Sequence, residues 1–211
     1  MTAAGSLDAG LAELAMPTEP SQRDRLLAYV ALLEKWNRAF NLTSVRTPEQ
    51  MVVRHLLDSL SIAPWTGPAS PVLDVGTGAG LPGIPLAIVR PEQSFVLLDS
   101  NGKKTRFVRQ AVRELGLANV EVVQARAAQY GKTAPQVVAR ALAPLPALVE
   151  ETAALVAPEG SLLAMKGALT DDELAAVPSG WHARVEPLRV PQLDEPRRLV
   201  VLTRTEQGDS L

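Results

Sequence analysis

The sequence predicts an α/β protein: a mostly parallel sheet covered by helices on both faces, with an antiparallel pair at one end and a helical extension in front. Three observations lead there. Short apolar runs at Val72–Val75, Phe95–Asp99, Val120–Gln124, Val137–Arg140 and Leu162–Lys166 alternate with stretches of helical length, the pattern of parallel strands joined by crossovers. The first of these runs passes straight into a glycine-rich turn, Gly76 to Gly83. The last two apolar runs, Ala183–Val190 and Leu199–Thr203, are separated by a proline-containing turn and no helix, so they are expected to pair antiparallel at the sheet's end.

Residues 1–20 are small, polar and dotted with proline, and are expected to be a flexible segment. From Ser21 the pattern turns helical, with Leu26, Leu27, Val30, Leu33 and Trp36 recurring every three or four positions. Thr47-Pro48-Glu49-Gln50 reads as a helix entrance: Thr47 as cap, Pro48 in the first position, Gln50 closing a capping box. That helix is expected to run to about Ile62, followed by a Pro64–Pro71 linker. The organisation expected is a helical extension over 21–66 packed as one unit with an α/β domain over 67–211.

The strand-to-glycine turn is the segment most suited to a ligand. Its backbone can turn sharply and approach a ligand closely, and the helix that follows offers unpaired N–H groups. Gly78-x-Gly80-x-x-Gly83 fits a dinucleotide fingerprint, and Asp99 ends the next strand where a ribose-binding acid belongs. Asp74, inside the first strand, points the other way. A carboxylate there would repel a pyrophosphate but attract S-adenosylmethionine, which carries an ammonium and a sulfonium. It would serve equally well as an acceptor for loop amides.

Composition narrows the classes. The 211 residues carry a net charge of −2, so any contact with nucleic acid must be local. With no cysteine and only His55 and His182, disulfides and thiolate metal sites are excluded and no metal is expected. Methylation at pyrimidine C5, which uses a covalent thiolate, is also a poor fit. No secretory signal or membrane span is read, so a cytoplasmic, soluble protein is expected; separately, a monomer is expected.

Charged residues gather where a crevice should be. Arg140 and Lys166 end two strands, as Asp99 does, and Asp74 stands near the end of the first. Lys103 and Lys104 begin a helix whose face continues through Arg106, Arg109 and Arg113. Cations at a helix N-terminus oppose its dipole by roughly 0.3–1 kcal/mol each, a conflict that suits binding to a phosphate backbone. His55, Asp58 and Ser59 share a helix face, but no nucleophile elbow surrounds Ser59, so a hydrolase triad is set aside for a capping or RNA-facing role.

Ordered blocks carry a resemblance: Trp36-Asn37, Asn41-Leu42-Thr43, Arg54 to Ser59, Leu73 to Leu86, Leu97 to Ser100, Lys103, Arg106-Phe107, Arg140-Ala141, Lys166-Gly167 and Arg198 to Val200. With these the chain resembles the bacterial 16S rRNA guanine-N7 methyltransferase G family, also called the glucose-inhibited division protein B family. The resemblance implies a class I S-adenosylmethionine-dependent methyltransferase fold, S-adenosylmethionine as donor, and N7 of guanine 527 in the small ribosomal subunit as acceptor. It implies cofactor contacts at Gly76, Gly78, Leu81, Ala127, Ala128 and Arg140, with Asp99 on the ribose. The family often has an acid where this chain has Ala128, and another where it has Gln136.

Arg140, Asp74 and Lys166 are the candidates for the reaction itself, and Arg54, His55, Lys103, Lys104, Arg106 and Lys166 for the RNA. Guanine N7 has a free lone pair, so no general base is expected. Two further readings are an NAD(P)-dependent oxidoreductase, from the glycine spacing alone, and a non-catalytic S-adenosylmethionine-binding ribosome-assembly factor.

Overall fold

The computed structural model describes residues 2–140 and 142–205. Ala141 of the Arg140-Ala141 pair, and residues 206–211 of the expected 67–211 domain, lie outside the described residues.

The expectation of a flexible segment over 1–20 is corrected. Ala3–Glu13 form helix α1, capped by the Thr2 hydroxyl, which accepts from the Gly5 amide. Leu7 and Leu11, one turn apart, are buried, and Gly10 meets Leu57 so closely that a Cβ would come within 2.3 Å of it. Asp8 pairs with Arg23, and Glu13 with Arg189.

Helix α2 (Pro20–Phe40) starts with proline and a reciprocal Glu19–Gln22 box, and stops where Asn41 turns left-handed at φ 49°. Helix α3 (Pro48–Met51) opens at Thr47, whose hydroxyl accepts from the Gln50 amide at 3.3 Å. The reciprocal half of that box does not form among the described residues. The helix then widens into a π-helical segment, Val52–Leu57, and tightens again as α4 (Asp58–Leu60).

Strands β1 (Val72–Val75), β2 (Phe95–Asp99) and β3 (Val120–Gln124) lie where the apolar runs placed them. Strands β4 (Ala134–Arg140) and β5 (Val156–Lys166) begin earlier than expected. Pro135, Pro158 and Gly160 hid those starts, and the β4–β5 register shifts between Ala134 and Gln136, as proline in a strand requires. Strands β6 (Trp181–Leu188) and β7 (Arg197–Arg204) form the antiparallel pair. The order is β3-β2-β1-β4-β5-β7-β6, with β7 inserted antiparallel between β5 and β6. Helices α5 (Gly83–Val89), α6 (Gly102–Leu115), α7 (Ala127–Tyr130), α8 (Leu145–Thr152) and α9 (Asp171–Ala175) complete the chain.

Two apolar clusters occupy the two faces of the sheet, and successive strand residues alternate between them. Val72, Phe95 and Leu97 join one; Leu73, Val96 and Leu98 join the other. The first cluster also holds Leu7, Leu26, Leu33 and Leu57, so the N-terminal helices share a core with α5 and α6. Strand order reverses between β1 and β4, which opens a crevice at their carboxyl ends, where open α/β sheets bind ligands.

Candidate functional site

The glycine turn lies at that crevice. Asp74 falls on the same sheet face as Val72, beneath the turn rather than in front of it. Its Oδ2 accepts from the Thr77 hydroxyl at 2.6 Å and from the Gly83 amide at 2.9 Å. Gly83 has no room for a side chain: a Cβ would lie 2.1 Å from Leu97 and 2.8 Å from the Asp74 carboxylate. Burial pushes the Asp74 carboxyl up to about 6 against the lowering effect of those two hydrogen bonds. From the far side Tyr29, fully buried on α2, donates its hydroxyl to the Ala79 carbonyl at 2.7 Å. The loop is therefore held from the strand and from the helical extension at once.

In front of the loop is a cavity of about 510 Å³. Gly76, Gly78, Leu81, Asp99, Ala127 and Arg140, six of the residues singled out for a cofactor, line it together. At Gly78 the backbone is left-handed (φ 62°), and a Cβ would find only the Gly76 carbonyl, 3.8 Å away. Asp99 accepts from the Gly78 amide at 2.9 Å through Oδ2 and from the Asn101 amide at 2.8 Å through Oδ1. Each carboxylate oxygen retains acceptor capacity for a hydroxyl. Ala128 is exposed and not among the lining residues, so its missing carboxylate takes nothing from the cavity wall. Asp74 and Lys166 do not line it either.

A second cavity, of about 390 Å³, adjoins the first, and His55 and Arg140 line both. Arg54, Arg140, Lys166, Arg197 and Arg198 bring five cations to its walls. Lys166 Nζ is bound to Glu173 at 2.6 Å and to the Ala143 carbonyl at 3.1 Å, and Arg54 pairs with Glu195 at 2.5 Å. Arg140 donates to Asp58 Oδ2 at 2.9 Å and to the Arg54 carbonyl at 3.1 Å. His55 bridges the Thr43 hydroxyl (2.8 Å) and the Arg54 carbonyl (2.9 Å). Burial, together with the charge of Arg140, pushes the imidazole down to about 4, so it is neutral at pH 7.

The basic face of α6 stands apart. Lys104 reaches the first cavity, Lys103 is exposed outside both, and Arg106 lines a shallow groove with Arg109 and Arg113. The dipole conflict at its start is eased by Asn101, whose Oδ1 accepts from the Lys103 and Lys104 amides. Sequence reasoning did not single out Arg126, Leu142 and Arg197 as site residues. Arg126 and Leu142 also line the first cavity and Arg197 the second. Arg197 stands beside the Arg198 to Val200 block, the one signal that could have found it. The placement of Arg126 depends on the short helix α7, which its sequence does not announce.

Comparison with known proteins agrees with this geometry. The family model described as rRNA small subunit methyltransferase G matches residues 22–201. A Marinobacter nauticus protein named ribosomal RNA small subunit methyltransferase G is 52% identical over 206 residues, covering 96% of each chain. A Yersinia enterocolitica protein of the same name is 50% identical over 200 residues, 93% of this chain and 97% of that one. Among solved structures, magnesium protoporphyrin IX methyltransferase from Synechocystis, crystallised with bound S-adenosylmethionine, aligns with a TM-score of 0.61. It covers 84% of this chain and 97% of its own at 15% identity, which speaks for the fold.

Proposed function

The chain belongs to the rRNA small subunit methyltransferase G family, S-adenosylmethionine-dependent enzymes, and we propose that its acceptor is N7 of guanine 527 in 16S rRNA. It would act as a cytoplasmic monomer on the small ribosomal subunit. No helix among the described residues is long and apolar enough to cross a membrane. The observation that carries the proposal is the pairing of the two cavities: a glycine-lined cavity shares Arg140 and His55 with a second one that has five cationic residues in its walls.

The residues present fit the donor. Gly76, Gly78 and Leu81 leave room along the loop, Asp99 retains acceptor capacity for ribose hydroxyls, and Arg126, Ala127 and Arg140 close the wall. When bound, S-adenosylmethionine supplies the electrophilic methyl group. The protein's share is to hold the acceptor. Guanine N7 offers its lone pair without losing a proton, so alignment at near-attack distance is the principal contribution, worth roughly 7–11 kcal/mol in well-oriented systems.

Positive charge develops on the purine during transfer, and a neutral His55 beside it adds no repulsion. Arg140, which like His55 lines both cavities, is proposed to meet both reactants. Lys166, fixed by Glu173, and Arg54 belong to the acceptor side. Asp74 serves through the loop it holds. Lys103, Lys104 and Arg106 supply a phosphate-facing surface next to the donor cavity.

The test is incubation of the protein with methyl-labelled S-adenosylmethionine and unmodified small subunits, beside calorimetry with S-adenosylmethionine and with NAD(P). Label in RNA and heat only with S-adenosylmethionine are expected. Binding of NAD(P) alone would return the oxidoreductase reading, and donor binding without labelled RNA would leave an assembly factor.

A further inference from the structure

We infer that Asp58 is a positioning residue whose single carboxylate fixes Arg140 of the donor cavity and Arg197 of the acceptor cavity, and so sets the spacing of the two reactants. The inference rests on the reading of the two cavities given above. Oδ2 accepts from Arg140 Nη1 at 2.9 Å, and Oδ1 accepts from Arg197 Nε at 3.1 Å. The Asp58 side chain is 6% exposed, and those of Arg140 and Arg197 are 19% and 22%.

The three groups come from distant parts of the chain. Asp58 follows the π-helical segment of the extension, Arg140 ends β4 and Arg197 begins β7. A carboxylate between two guanidiniums offsets the repulsion that would otherwise drive them apart. It also leaves them usable. Arg140 commits only Nη1, to Asp58 and the Arg54 carbonyl, and Arg197 commits Nε and Nη1, the latter to the Pro196 carbonyl. Among the described residues the other guanidinium nitrogens carry no hydrogen bond, which leaves donors for a ligand on either side.

The same helical turn braces the arrangement a second time. The Arg54 carbonyl takes both Arg140 and His55 Nδ1, and His55 Nε2 meets the Thr43 hydroxyl at the donor cavity's edge. A π turn alters the angular placement of the residues after it, and such turns recur at functional sites. Here it delivers Asp58 to the wall of the second cavity, in contact with Arg140, which lines both.

The experiment uses the full chain with Asp58→Asn, Arg197→Gln, their double variant and Arg197→Lys. Three quantities are read: S-adenosylhomocysteine affinity by calorimetry, melting temperature, and single-turnover methyl transfer to small subunits at saturating donor. Asp58→Asn is expected to weaken S-adenosylhomocysteine and to slow transfer, each by about tenfold or more, because Arg140 and Arg197 lose their shared anchor. Arg197→Gln is expected to slow transfer while leaving S-adenosylhomocysteine affinity within about twofold, and the double variant to be about as slow as Asp58→Asn, since coupled residues are not additive.

Wild-type affinity and rate in Asp58→Asn, or additive losses in the double variant, would overturn the inference. Should Asp58→Asn fail to fold, Arg197→Lys decides: it keeps the cation and loses the Nε bond, so about fivefold slower transfer is expected, and a wild-type rate would overturn it. If the wild type labels no RNA, the acceptor reading fails on its own, and S-adenosylhomocysteine affinity in Asp58→Asn still tests the link to Arg140.

Discussion

At Asp74 the two carboxylate oxygens differ: Oδ2 takes Thr77 and Gly83, whereas Oδ1 is buried with no partner among the described residues. Its folded pKa of about 6 lies above the unfolded value, so the folded state binds the extra proton and loses stability as pH rises from about 4 to about 6. Asp74→Asn removes that titration. Between pH 4 and pH 7 its stability relative to wild type is expected to improve by up to about 3 kcal/mol, read from urea unfolding at each pH. His55 has the opposite sign. With a folded pKa of about 4 it favours the folded state above about 6.5 and withdraws that support as pH falls towards 4. Wild type is therefore expected to lose up to about 3 kcal/mol relative to His55→Gln over that range. In wild type the two effects oppose each other, and only the variants reveal them. Differences that do not move with pH would contradict both assignments.

At the level of elements, α1 and α6 make separate claims. Leu7 is fully buried in the shared core, and Leu7→Ala is expected to cost about 2–5 kcal/mol in urea unfolding. A loss below about 0.5 kcal/mol, the range of a surface change, would mean that α1 does not dock. On α6, Lys103→Ala with Lys104→Ala is expected to weaken RNA binding and to flatten the slope of log affinity against log salt by about 1.4–1.8. An unchanged slope would make the pair an ordinary solvated surface.

The strands were legible because apolar runs bounded by glycine and proline leave few alternatives, and β1, β2 and β3 match them residue for residue. Helix α1 was not, because Leu7 and Leu11 make a narrow stripe among small residues, and its burial depends on Leu57 and Gln192 far along the chain. The first cavity was largely legible, since many of its lining residues follow strand ends in sequence. The Asp58 clamp was not, for its partners lie 82 and 139 residues away. Nor was the π-helical turn that delivers it, which no local pattern announces.

Across the whole molecule, a net charge of −2 is compatible with an RNA substrate because the cations are placed rather than plentiful. Five of them line one cavity, and a row on α6 flanks the other. The extension and the sheet share one core, and Tyr29, His55 and Asp58 of the extension reach the glycine loop and both cavities. Both cavities are thus lined jointly by the two parts of the chain. The most direct test maps the methyl group: small subunits lacking the modification are treated with the protein and S-adenosylmethionine, and the 16S rRNA is digested and read by mass spectrometry. One N7-methylguanine per subunit, at position 527, is expected; methylation on an exocyclic amine or a ring carbon, at another nucleotide, or not at all, would contradict the assignment.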